Sequence, residues 1–296
     1  MNNQDPKIKI GGGLKEKPED IRDFGFAAVH PLPKLSEIPD SFIVGKTFVD
    51  VDQGESDLCT GFSVAAANGD QEDVQFAPEY QFAMTKMLEG DFKSWGADIR
   101  VACSSAVKFG SLPKRVAPWS LAEKGRDFVA NWENWPDELR KIAYNYAKGS
   151  YLTVTGPYDL FDNMRATMWA NRVERRSIVT GLLWRYSWTY SPGGIIPASG
   201  YEETGVPHAF RIAGFQKIND VIYAVAPLTN GRTIGDSGVF YIPREVINRE
   251  CKPQWGYYTF KDATPDEIKY LLNKGLTVKS LWWVRFWIAI KKLLHL

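Results

Sequence analysis

Apolar residues fall at helical spacing from Cys59 to about Gly149, and from Tyr151 onward short strand-like stretches take over. That segregation narrows the fold more than any other feature. Helices and strands that do not alternate along a chain pack as an α+β arrangement rather than as a parallel α/β sheet. In the first part, residues 79–88 and 136–146 have helical periodicity, and the second stretch starts with a proline and acids, as a helix should. In the second part strands are expected at 151–154, 177–184, 208–215, 221–226 and 239–242, with one helix at about 159–171. Ahead of both, Gly11-Gly12-Gly13 and a succession of prolines ending at Pro39 make residues 1–45 an extended arm. The expected division is an arm at 1–45, a domain at 46–270 (helical lobe 46–150, β-rich lobe 151–270) and an apolar, cationic helix at 271–296.

The helical part opens on Gln53-Gly54-Glu55-Ser56-Asp57-Leu58-Cys59-Thr60-Gly61-Phe62-Ser63, a glutamine six residues ahead of a cysteine that begins a small-residue helix. A cysteine at a helix N-terminus meets the positive end of the macrodipole, which favours thiolate. A glutamine just upstream can aim its NH2 where an oxyanion forms. Three histidines could serve as base. His30 lies in a proline-flanked, extended stretch, and His295 is the penultimate residue. His208, in Val206-Pro207-His208-Ala209-Phe210, starts a strand and has the rigid setting a general base requires. The plain alternatives are a Cys59 that packs its helix as a small hydrophobe, a Gln53 that caps a turn, and a His208 that is a structural hydrogen-bonder.

A chain of 296 residues holds one two-lobed unit. Its net charge of +1, with acids and bases interspersed, gives no reason to expect nucleic acid as a partner. Three cysteines cannot all pair within the chain, and the N-terminus lacks the apolar stretch of a secretory signal, so a reducing, cytoplasmic setting is expected.

Taken in order, these motifs resemble the papain-like cysteine peptidases of the C1 family, particularly their bacterial and phage branches. Lys17-Pro18-Glu19-Asp20-Ile21-Arg22-Asp23 is similar to the short arm before the catalytic domain. Val51-Asp52-Gln53-Gly54 with Cys59-Thr60-Gly61-Phe62-Ser63 resembles the oxyanion and nucleophile segment. Gly96-Ala97-Asp98-Ile99-Arg100, Val107-Lys108-Phe109-Gly110 and Ala117-Pro118-Trp119 resemble the second helix and its following turn. His208-Ala209-Phe210 with Gly214-Phe215 is similar to the histidine strand, and Gly235-Asp236-Ser237-Gly238-Val239-Phe240-Tyr241-Ile242-Pro243 to the closing hairpin.

The resemblance implies a papain-like fold: an N-terminal helical lobe and a C-terminal antiparallel, β-barrel-like lobe, with the active-site cleft between them. It also implies a thiol peptidase acting on peptide or protein substrates. Cys59 would form the thioester, His208 would be base and acid, and Gln53 would sit in the oxyanion hole, with no metal or organic cofactor.

Three positions depart from the family. Leu228 stands at the orienting asparagine and cannot accept a hydrogen bond from imidazole, so Thr229 or Asn230 is the candidate substitute; failing both, His208 is held by packing or water. Asp57 places negative charge near Cys59, which disfavours thiolate, and Ile234 stands where a second tryptophan is common. These departures keep open a weak or inactive relative that binds peptides through the same cleft; a third reading, acyl transfer to another acceptor, stays open because a thioester does not dictate water as the second substrate. The aromatic, glycine-rich stretch 186–200 is either cleft lining or a surface flap. Residues 279–296, with three tryptophans and basic residues, suit an interfacial helix on anionic lipid or a helix docked on protein; peripheral membrane contact is one of the two. Oligomeric state is not legible.

Overall fold

The structure is a computed structural model and describes residues 12–16, 23–47, 51–92, 94, 96–117, 136–200 and 204–262. The segments 17–22 and 118–119 and the tail 279–296, all weighed above, lie outside the described residues. Among the described residues no helix is long and apolar enough to cross a membrane.

After a single turn, α1 (Phe26–Val29), the helical lobe is built from α2 (Cys59–Glu72), α3 (Pro78–Glu89), α4 (Ile99–Phe109) and α5 (Asp137–Tyr144). Local chemistry sets their ends. Pro78 occupies the first turn of α3, and Gly90 closes it in the left-handed conformation at φ 67°. Asp98 caps α4 by accepting the N–H of Val101 at 2.8 Å. Gly61 lets α2 and α3 approach closely, since a Cβ there would stand 2.7 Å from the Pro78 carbonyl. Leu58, Phe62, Tyr80, Phe82, Met84, Met87 and Phe109 form this lobe's own apolar core.

The second lobe has two four-stranded antiparallel sheets and no closed barrel, so the barrel-like expectation becomes a pair of open sheets. One runs β2 (Lys148–Thr153), β8 (Tyr257–Asp262), β3 (Ile178–Arg185), β4 (Gly205–Ile212). The other runs β1 (Phe42–Ile43), β5 (Gly214–Ile218), β6 (Val221–Pro227), β7 (Val239–Pro243). Two helices, α6 (Leu160–Ala170) and α7 (Arg244–Glu250), complete the lobe, and Asp159 caps α6 through the N–H of Asp162 at 2.9 Å.

The strand expected at 208–215 is two strands, β4 and β5, which pass from one sheet to the other through Ala213. A larger core joins the sheets to the inner face of α2, and it includes Cys59, Val64, Trp184, Ala209, Phe215, Leu228 and Phe240. Residues expected to form only an arm supply structure as well, because Phe42 and Ile43 pair with Phe215 and Gly214.

Candidate active site

Cys59 is the first residue of α2 and is fully buried. Its Sγ accepts the backbone N–H of Ala209 at 3.4 Å, and Ala209 follows His208 on β4. The helix start and the histidine strand therefore meet, as the resemblance implies.

His208 is also fully buried. It lies opposite Leu182 on β3, on the sheet face that also carries Trp184. The Trp184 ring stands edge-on to the imidazole with centroids 6.1 Å apart. Trp184 is in turn held by Trp188 at 5.6 Å and Phe240 at 4.9 Å, and its Nε1–H donates to Thr189 Oγ1 at 3.2 Å. The aromatic stretch 186–200 thus sends Trp188 inward as a buttress for Trp184, while Tyr186 and Tyr190 stay exposed.

Gln53 is buried and fixed from three sides. Its N–H donates to the Thr229 carbonyl at 2.7 Å, its Oε1 accepts Thr229 Oγ1–H at 2.6 Å, and its Nε2–H donates to the Ser56 carbonyl at 2.9 Å. With the oxygen turned to Thr229, the NH2 group is turned to the loop that leads into Cys59. Of the two residues weighed as substitutes for an orienting asparagine, Thr229 spends its hydroxyl on Gln53. Asn230 is buried, its backbone bridged to Asp52, with neither side-chain amide atom hydrogen-bonded among the described residues. Leu228 joins the apolar core that contains Trp184, and Ile234 lies in the same core. Packing by Trp184 is one support of the imidazole.

The thiol does not follow the helix-end expectation. Burial pushes it up to about 11, and Asp57 adds to the rise; backbone N–H groups of Ala209, Gly13 and Thr60 pull the other way without overcoming burial. Loss of hydration outweighs the helix end because the sulfur is covered, and part of the cover is the N-terminal arm through Gly13. Cys103 and Cys251 are buried and pushed up by the same desolvation, Cys251 to about 12.

Two further residues connect the facing elements. Arg211, three residues after His208, donates from Nη1 to Asp70 Oδ2 at 2.8 Å, and Asp70 lies on the Cys59 helix. Arg211 Nη2–H reaches the Lys46 carbonyl at 2.6 Å, and Asp70 also accepts the Lys46 N–H at 2.8 Å and the Ser177 hydroxyl. In the sequence the signal for this pair is an arginine on a strand with a buried face, and nothing local to Gly13 places it at the thiol. Among the described residues no group of histidine, cysteine and acids is arranged to hold a metal.

No family model matches the chain, and no curated protein matches it in sequence. Solved structures do match. The cysteine protease xylellain from Xylella fastidiosa is similar at a TM-score of 0.70 and 21% identity, over 87% of this chain and 98% of its own. Procathepsin L 3 of Tenebrio molitor larval midgut is similar at a TM-score of 0.62 and 11% identity, over 86% of this chain and 77% of its own. Procathepsin B from Trypanosoma congolense is similar at a TM-score of 0.57 and 14% identity, over 82% of this chain and 86% of its own. With two antiparallel sheets behind a helical lobe, and a cysteine-headed helix against a histidine strand, the chain has the fold of the papain-like cysteine proteases.

Proposed function

We propose that the chain is a thiol peptidase in which Cys59 is the nucleophile and His208 the base. The observation that carries this reading is the meeting of Cys59 Sγ with the Ala209 N–H, one residue from His208, beside a glutamine whose amide is locked by Thr229. In the reaction, His208 takes the thiol proton as sulfur attacks the scissile carbonyl carbon. The Cys59 backbone N–H and the Gln53 NH2 receive the oxyanion. Collapse of the tetrahedral adduct breaks the C–N bond, and His208 returns the proton to the leaving amine. Water then attacks the thioester with His208 again as base, releasing the acid and restoring the thiol.

A reducing compartment belongs to the same proposal and is supported by three buried thiols, none in a disulfide. A binder with a silent centre is the competing reading, and Leu228 is the residue that favours it. The deciding measurement is alkylation by an epoxysuccinyl probe with the adduct located by mass spectrometry, alongside hydrolysis of a fluorogenic peptide. Labelling at Cys59 that is lost with peptide hydrolysis in His208→Ala supports the peptidase. Labelling indifferent to His208, with no hydrolysis, leaves the binder.

A further inference from the structure

The cover over Cys59 is a segment of the chain itself. Ala97 N–H donates to the Gly13 carbonyl at 2.6 Å, Lys15 N–H donates to the Ala97 carbonyl at 3.0 Å, and Leu14 N–H reaches the Pro207 carbonyl at 3.4 Å. These bonds thread residues 13–15 between the two lobes, with one isolated parallel bridge between Leu14 and Ala97. The passage is narrow. A Cβ at Gly13 would collide with the Asp57 carbonyl, and one at Gly12 would stand 2.8 Å from Val206 Cβ. Leu14 is buried in the larger core, against Gly181.

The next residue meets a different chemistry. Lys15 Nζ donates to Ser94 Oγ at 2.6 Å and Asp91 Oδ2 at 3.2 Å, with Glu89 Oε2 at 3.5 Å. Glu89 also holds the buried Lys86 ammonium at 2.6 Å and accepts the Asp98 N–H at 2.9 Å. Two carboxylates, Glu89 and Asp91, thus face two ammonium groups, Lys86 and Lys15. Lys86 is built into α3, whereas Lys15 comes from the segment lying in the cleft. Withdrawal of that segment would take one of the two ammonium groups away from the two carboxylates and open Asp91, whose side chain is already 39% exposed, further to solvent.

We propose that Glu89, Asp91 and Ser94 form a subsite for a basic side chain in the peptide groove, and that Lys15 occupies it as the chain's own stand-in for that ligand. The inference rests on the peptidase reading only in taking peptides as the substrate class. The ligand it describes is a peptide in which a lysine or arginine follows a large apolar residue, preceded by glycine where the groove passes Cys59.

The test uses the full-length chain carrying Lys15→Glu, which sets like charge against Glu89 and Asp91. Two readouts are expected to agree. Iodoacetamide labels Cys59 at least tenfold faster in the variant than in the parent chain. A fluorescent Gly-Gly-Leu-Lys peptide binds the variant at least tenfold more tightly than Gly-Gly-Leu-Glu, and adding Asp91→Lys abolishes or reverses that order. Lys15→Gln, which removes the charge without repulsion, gives the same order at smaller amplitude and covers the case in which Lys15→Glu lowers the melting temperature.

Equal affinity for the two peptides in both Lys15 variants overturns the subsite, and an unchanged labelling rate in both overturns Lys15 as its occupant. A charge preference without hydrolysis of any peptide leaves the subsite standing and removes the peptidase reading. Hydrolysis without a charge preference does the reverse.

Discussion

At the scale of single residues, the thiol of Cys59 sets the first expectation. Only the thiolate is nucleophilic, and with the group pushed up to about 11 the thiolate is scarce at neutral pH while the arm covers it. Labelling of the parent chain should therefore be slow at pH 7 and rise roughly tenfold per pH unit up to about pH 10, because each unit below the pKa lowers the thiolate fraction tenfold. A rate that is flat above pH 7 would contradict the burial argument. The same shift bears on stability. An unfolded thiol titrates near about 8.5, so the neutral buried form adds stability below that value, and the contribution is lost as pH rises towards the folded value.

Thr229 gives a second expectation. Thr229→Val removes the hydroxyl that fixes Gln53 Oε1 and leaves the backbone bond from Gln53 N–H in place. Peptide turnover should fall about tenfold in kcat with little change in KM, since oxyanion donors act on the transition state. Cys59, Gln53 and His208 stand out in the sequence because their residue types suit the tasks proposed for them, and the fold sets Cys59 beside the strand that carries His208. Thr229 was legible only as a candidate, and its partner proved to be Gln53, because hydroxyl direction depends on which strand faces it.

At the scale of elements, the contact between α2 and β4 depends on Asp70 and Arg211 as much as on Cys59 and Ala209. Arg211→Met leaves the buried Asp70 carboxylate with the Lys46 N–H and the Ser177 hydroxyl alone. The expected loss is about 3–5 kcal/mol, the cost of removing one partner of a buried ion pair. Chemical denaturation should show it, and the double variant Asp70→Asn/Arg211→Met should lose less than the sum of the singles. If the single variant unfolds at the parent midpoint, the pair is not what joins the helix to the strand.

The elements themselves were read with uneven success, for physical reasons. α3, α5, α6, β3, β6 and β7 carry their own periodicity or caps. β1 is two residues long and exists through its pairing with β5, and nothing in Phe42-Ile43 alone announces a strand. β8 was missed because Tyr257–Asp262 follows a short 3-10 turn, Pro253–Trp255, and lies between β2 and β3, a partnership set by distant residues. Gly11-Gly12-Gly13 read as a loose arm because glycine reports conformational freedom, whereas the close passage of Gly13 past Asp57 is a tertiary fact.

At the scale of the whole molecule, the change of sheet at Ala213 has a mechanical result. One continuous rod of chain, Gly205 to Ile218, forms the edge of one sheet and an inner strand of the other. Neither sheet can come apart without bending the rod that the other depends on. The amides of β3 and of β6 should therefore lose protection from hydrogen exchange together, at a common denaturant concentration, as one cooperative unit. His208 stands within this rod, so the imidazole is aligned by two sheets at once, and its position is a property of the entire lobe rather than of any single neighbour.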